Sequence, residues 1–135
     1  FVFQKNSLFE FLTVEENLKL CLDIQNNDSD ISEALERVGL KGFEKKKVRA
    51  LSGGEKQRVA IARALIKDCK IIFADEPTGN LDTKMSVEIM KLFRELNEES
   101  GRTIILVTHE EDIARYAKRI IKIVDGEIHS DIRNV

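Results

Sequence analysis

Ile71-Ile72-Phe73-Ala74-Asp75-Glu76 is the stretch that decides how this 135-residue chain is read. The apolar run 70–74 stops abruptly at two acids and then at Pro77, the only proline. A run that short, bounded by charge and proline, predicts a buried strand. Acids at the C-terminal end of a strand lie where open α/β sheets place their sites. Asp75 is suited to holding Mg²⁺, usually through water, and Glu76 to taking a proton from an attacking water. The same pair also fits a polar strand end leading into a helix cap.

Outward from this strand, the pattern alternates. Residues 77–82 hold Pro77, Gly79 and Asn80 and read as a loop. Met85, Ile89, Leu92 and Leu96 mark one face of a long helix that stops near Gly101. Thr103–Thr108, rich in Ile, Leu and Val, predicts a second buried strand. A short helix follows around 111–117. Ile120–Val124 and Glu127–Ser130 flank Asp125-Gly126, a hairpin signal. Upstream, residues 1–4 read as a strand end. Val14, Leu18, Cys21 and Leu22 form a helical face, with Thr13 as N-cap and Glu16 completing a capping box. Residues 25–30 read as a polar turn. Ile31, Ala34, Leu35 and Val38 form a second face that Gly39 terminates. A third helix is expected from Ser52 to about Lys67. The chain is therefore α/β, helical first and then alternating in the manner of parallel units, with a boundary near Asp68.

Composition excludes several classes. Apolar residues make up 42% and charged residues 34%, which describes a globular chain. A net charge of −2 gives no electrostatic grip on nucleic acid or anionic lipid, so no nucleic-acid partner is expected. No apolar run is long enough to span a bilayer. Cys21 and Cys69 lie 48 positions apart without a C-x-x-C, which indicates neither zinc nor a disulfide framework and suits a reducing compartment. Lys45, Lys46 and Lys47 read as a solvated surface stretch.

Two further features carry chemistry. Leu51-Ser52-Gly53-Gly54-Glu55 has capping-box spacing and fits an ordinary helix start. Its glycines also clear the helix entrance, where free N–H groups, the helix dipole and a serine hydroxyl suit a phosphate. Both readings stand on this pentapeptide. His109 follows the second strand; a histidine there can be structural or catalytic. His129 falls in the terminal hairpin and receives no role.

Taken in order, these elements resemble an ATP-binding cassette (ABC) ATPase. Gln4, in Phe-Val-Phe-Gln, resembles the Q-loop glutamine. Leu51–Glu55 and the following Lys56–Leu65 resemble the family signature and its helix. Ile71–Glu76 resembles the Walker B strand, Asn80-Leu81-Asp82 the D-loop and Thr108-His109 the H-loop. The resemblance implies a partial P-loop NTPase (RecA-like) core with parallel strands, a helical subdomain and a C-terminal hairpin. It divides the chain into a Q-loop segment (1–8), a helical subdomain with the signature (9–67) and the later half of the core (68–135).

It also implies roles. Gln4 would sense Mg²⁺ and the attacking water, Asp75 would support Mg²⁺, and Glu76 would be the general base. His109 would contact the γ-phosphate. Asp82 would link two sites across a dimer. Ser52, Gly53, Gly54 and Glu55 belong to the signature, which would bind ATP held by the opposite subunit. The implied partners are a second ATPase subunit and a transmembrane permease reached through the Q-loop and helical subdomain. The implied place is the cytoplasmic face of the cell membrane.

No two glycines are five positions apart, so the phosphate-binding motif G-x-x-x-x-G-K followed by Ser or Thr is absent from this sequence. The resemblance places that motif upstream of the Q-loop, so the chain, which opens on Phe1-Val2-Phe3 rather than Met, is expected to be the later part of a cassette. An unpaired edge is then expected on the strand ending at His109. Residues 75–82 look most like the branch serving lipoprotein release and macrolide export. Val48 stands where many relatives have proline, for which only a local loop change is expected. Alternatives are a soluble superfamily ATPase of the translation or DNA-repair type, or a non-catalytic module that kept the fold. The 48 positions between Gln4 and Ser52, without sustained heptads, argue against the repair type's inserted coiled coil.

Overall fold

The computed structural model describes residues 1–3, 7–22 and 28–134. Three strands, β1 (Val2–Phe3), β2 (Ile71–Asp75) and β3 (Thr103–Val107), form a parallel sheet in the order β1-β2-β3. Ile71 pairs with Thr103 and Asp75 with Val107, while Val2 pairs with Ala74. This register brings the ends of β2 and β3 level, so the residues that follow them emerge side by side.

The helical part precedes β2. Helix α1 (Val14–Lys19) starts at a capping box between Thr13 and Glu16, as its sequence predicts. Helix α2 (Asp28–Arg37) ends at Gly39, whose φ of +78° is a conformation glycine adopts without strain. Helix α3 (Gly53–Ile66) is the hub. Val59, Ala60, Ile61 and Ala62 are all fully buried, so successive residues around the helix face protein. From Val59 to Ile66 every residue but Arg63 is buried, so this part of the helix lies inside, and α3 packs against α1, α2 and β1 as well as the helix after β2.

That helix, α4 (Thr83–Ser100), connects β2 to β3 as a crossover and is stopped by Gly101 in the left-handed region. Ile89, Met90, Leu92, Phe93 and Leu96 form its buried stripe. A short helix α5 (Glu111–Ala114) leads to a hairpin, β4 (Arg119–Val124) with β5 (Glu127–Arg133). Asp125 and Gly126 both have positive φ, as the two-residue hairpin turn requires. Arg119 grips Asp131 through two hydrogen bonds of 2.9 and 2.7 Å, and Asn134 ties the hairpin's end to the carbonyls of Arg115 and Ala117.

Three expectations are corrected. The strands over 71–75 and 103–107 are not buried on both faces. Ile72 is 1% exposed but Phe73 is 42% exposed, because the helices cover only one side of the sheet. Phe1 stacks on Phe73 at 5.5 Å without covering it. Helix α1 ends at Lys19, so Cys21 and Leu22 lie beyond it; Leu22 still packs against the core. Of the polar stretch expected to turn over 25–30, residues 25–27 lie outside the described residues, and from Asp28 on it belongs to α2, where acidic residues favour a helix N-terminus. Val48, where only a local loop change is expected, opens a tight 3₁₀ turn (Val48–Ala50), is fully buried and donates its N–H to the Leu12 carbonyl at 3.0 Å. Proline has no N–H for that bond.

Candidate functional site

The ends of β2 and β3 build the first half of the site. The ladder continues one residue past β2, with the Glu76 N–H donating to the Val107 carbonyl at 2.8 Å. Glu76 then takes φ +45°, a left-handed conformation that costs a non-glycine residue about 1–2 kcal/mol. The kink turns its carboxylate onto the end of β3. Oε1 accepts from the His109 backbone N–H at 2.9 Å and lies 2.6 Å from His109 Nδ1. Oε2 accepts from the Thr108 hydroxyl at a longer 3.3 Å, and Thr108 Oγ1 in turn accepts from the Glu110 N–H. The Glu76 side chain is 19% exposed and that of His109 82%, so the carboxylate is sheltered while the imidazole faces solvent. The hydrogen bond to Glu76, and then its negative charge, raise the His109 pKa above the ordinary 6.5, with Glu110 adding a smaller push. Asp75 sits exposed at the last position of β2.

The second half lies at the start of α3. Ser52 is the N-cap: its Oγ accepts from the Glu55 N–H at 3.2 Å, and Glu55 Oε1 accepts from the Ser52 N–H at 2.9 Å. The capping reading of this pentapeptide is therefore realised. The first N–H groups of the helix, at Gly53 and Gly54, have no intrahelical acceptor, which keeps the phosphate reading open. A side chain on Gly53 would meet Leu81 at 3.3 Å, and one on Gly54 would meet Met85 at 3.3 Å. The glycines thus also let the loop before α4 and the first turn of α4 close against α3. Asp82 caps α4 by accepting from the Met85 N–H at 2.8 Å. Beside Ser52 and Gly54 opens a cleft of about 400 Å³, bounded by Leu40, Phe43, Arg58 and Glu88.

The structure thus brings Glu76, His109 and Asp75 to one place, and Ser52, Gly53, Gly54, Glu55 and Asp82 to another. Gln4 lies outside the described residues. Thr108 as a direct partner of Glu76 was not anticipated; the level strand ends, which need the register, supply that contact. Gln57 was also missed. It is buried and donates to the Pro77 carbonyl at 2.6 Å, joining the two halves. Among the described residues, no three acid, histidine or cysteine side chains gather to enclose a metal ion, and no helix is long and apolar enough to cross a membrane.

Comparison with known proteins gives a consistent answer. Residues 1–79 match the sequence family described as ABC transporter. A macrolide export ATP-binding/permease protein MacB of Chlorobium phaeobacteroides is 53% identical over 137 aligned residues, covering 98% of this chain and 21% of that protein. A lipoprotein-releasing system ATP-binding protein LolD of Rhodopseudomonas palustris is 42% identical, covering 95% of this chain and 59% of that one. Among solved structures, a dimeric ATP-binding cassette in a post-hydrolysis state with ADP and phosphate superposes with a TM-score of 0.80 at 39% identity, covering 99% of this chain and 62% of that one. The chain therefore spans less than two-thirds of each.

Proposed function

The chain belongs to the ABC transporter family, and from that membership we propose that its residues serve an ATP-hydrolysing cassette that works as a dimer and drives transport across a membrane. The observation that carries this reading is the contact of Glu76 with Thr108 and His109 at the level ends of two parallel strands, beside the exposed Asp75. A carboxylate held at one oxygen and only loosely at the other can orient a water and accept its proton. The exposed imidazole of His109, fixed through Nδ1, can meet a phosphate oxygen with its other nitrogen.

Mg²⁺ typically takes one or two carboxylates and completes its shell with waters and substrate phosphates. A single exposed carboxylate at a strand end fits that donor set, so Asp75 would hold the ion, with Gln4 as the second candidate. When bound, the ion would neutralise charge developing on the phosphate oxygens. Ser52, Gly53 and Gly54, with Glu55 bracing the cap, would present a helix N-terminus to the nucleotide of the opposite subunit, and Asp82 would lie across the same joint. The G-x-x-x-x-G-K loop that would hold ATP is not among these 135 residues, so the reading applies to a longer protein. We assign 1–8 to a Q-loop segment, 9–67 to the helical subdomain and 68–135 to the later half of the catalytic core.

A second copy is the partner across ATP, and a permease would dock near Gln4 and the helical subdomain, on the cytoplasmic face of the membrane. The names of the MacB and LolD relatives support the export and lipoprotein-release branch. The test is ATP hydrolysis by the full-length protein and by its Glu76→Gln variant. The variant should lose hydrolysis and accumulate as an ATP-bound dimer; unchanged turnover removes Glu76 as the base.

A further inference from the structure

Three contacts fasten the start of α3 to the loop between β2 and α4 and to the first turn of α4. Gln57 Nε2 donates to the Pro77 carbonyl at 2.6 Å, with Gln57 only 2% exposed and Pro77 fully buried. Gly53 and Gly54 are stripped to backbone where Leu81 and Met85 press in, each at 3.3 Å from where a Cβ would stand. The hydrogen bond is the directional one of the three. It is made to the residue directly after Glu76, and Glu76 is already pinned through its N–H to Val107 and through its carbonyl to the Gly79 N–H. Moving the first turns of α3 therefore pulls on Pro77 and, through one rigid peptide unit, on the kinked Glu76. A proline carbonyl in a dry site has few ways to replace a lost donor, since a buried acceptor left unsatisfied keeps its full desolvation cost. The joint is thus held together rather than free to slide.

We propose that Gln57 is a positioning residue that couples the two halves of the site: through Pro77 it sets the place of Glu76 according to where the Ser52–Gly54 helix start is held. Engagement of that helix start by the opposite subunit's nucleotide is then transmitted to this subunit's own general base by a single side chain. This rests on the reading of Glu76 and Ser52–Gly54 given above and adds to it the residue that joins them.

The experiment uses the full-length protein with Gln57→Leu, which keeps the volume and removes the donor, and Gln57→Glu. A carboxyl buried beside a carbonyl keeps its proton and can donate the same bond. Steady-state ATP hydrolysis and thermal unfolding are measured for both. Gln57→Leu should lower kcat roughly ten- to a hundredfold with KM for ATP changed by less than about twofold, as expected when a reacting group is displaced but substrate binding is not. Gln57→Glu should restore most of kcat. Wild-type kcat in Gln57→Leu, a KM that rises in step with the loss, or no rescue by Gln57→Glu overturns the coupling. If Gln57→Leu does not fold, Gln57→Glu decides alone, because a folded variant with kcat far below wild type contradicts the proposal. Wild-type hydrolysis abolished by Glu76→Gln alongside unaffected Gln57 variants removes only the coupling. Absence of hydrolysis in the wild type removes the functional reading and the coupling together.

Discussion

Glu76 closes onto His109 twice, with Oε1 2.6 Å from the ring Nδ1 and 2.9 Å from the backbone nitrogen. The carboxylate favours the protonated ring and raises its pKa above the ordinary 6.5. A group whose pKa is raised on folding contributes stability that is fully present below its unfolded value and is lost as pH rises through the folded value. The pair should therefore loosen on the alkaline side of about pH 6.5. Histidine NMR titration should show a midpoint for His109 above that of an unstructured histidine, and Glu76→Gln should bring it down. A midpoint that stays put in the variant would remove the pairing.

Ser52 separates two effects that its sequence context joins. As N-cap it accepts from Glu55 at 3.2 Å. Ser52→Ala should cost about 1 kcal/mol in urea unfolding, the usual loss for a cap. If Ser52 also meets phosphate in the assembled dimer, hydrolysis by the full-length protein should fall by well over the roughly fivefold that such an energy represents. A rate loss no larger than the stability loss would leave Ser52 as a cap alone.

The uncovered side of the sheet should make the 135-residue chain self-associate. Phe73, Ile105 and Val107 are 42%, 41% and 55% exposed on strands whose other faces pack inward, and β3 is the last strand in the sheet order. An apolar edge strand templates pairing with another chain, and a charge there blocks it. Sedimentation velocity should show association of this chain, reduced by Val107→Lys. A wild-type chain that stays monomeric at high concentration would contradict this.

The same 135 residues should bind MgATP weakly. They carry groups that would act on phosphate but no G-x-x-x-x-G-K loop to hold it. Titration calorimetry should detect no dissociation constant in the micromolar range, and finding one would point to nucleotide contacts outside the residues named here.

Local chemistry was legible wherever it depended on neighbours in the chain. Thr13 with Glu16 and Ser52 with Glu55 form the capping boxes their spacing predicts. Gly39 and Gly101 end helices, and Asp125-Gly126 makes the hairpin turn. Those features work over three or four residues and need no partner from elsewhere. What misled was long-range. The runs over 71–75 and 103–107 are apolar enough for burial on both faces, but α3 and α4 supply a cover for one only. Hydrophobicity records what a strand can bury, not what is present to bury it.

From residues alone came the α/β class, the order of its elements, and the identity of Asp75, Glu76, His109 and the Leu51–Glu55 helix start as places where chemistry could occur. Only the tertiary structure decided that Glu76 meets Thr108 and His109, since a contact across 32 or 33 positions depends on the β2–β3 register. It alone decided that Gln57 reaches Pro77, 20 positions away, and so joins the two halves of the site. Spacing along a helix or turn is set by backbone geometry that each residue carries with it. Contacts between distant segments are set by how buried surfaces pack, and that is determined only when the whole chain has folded.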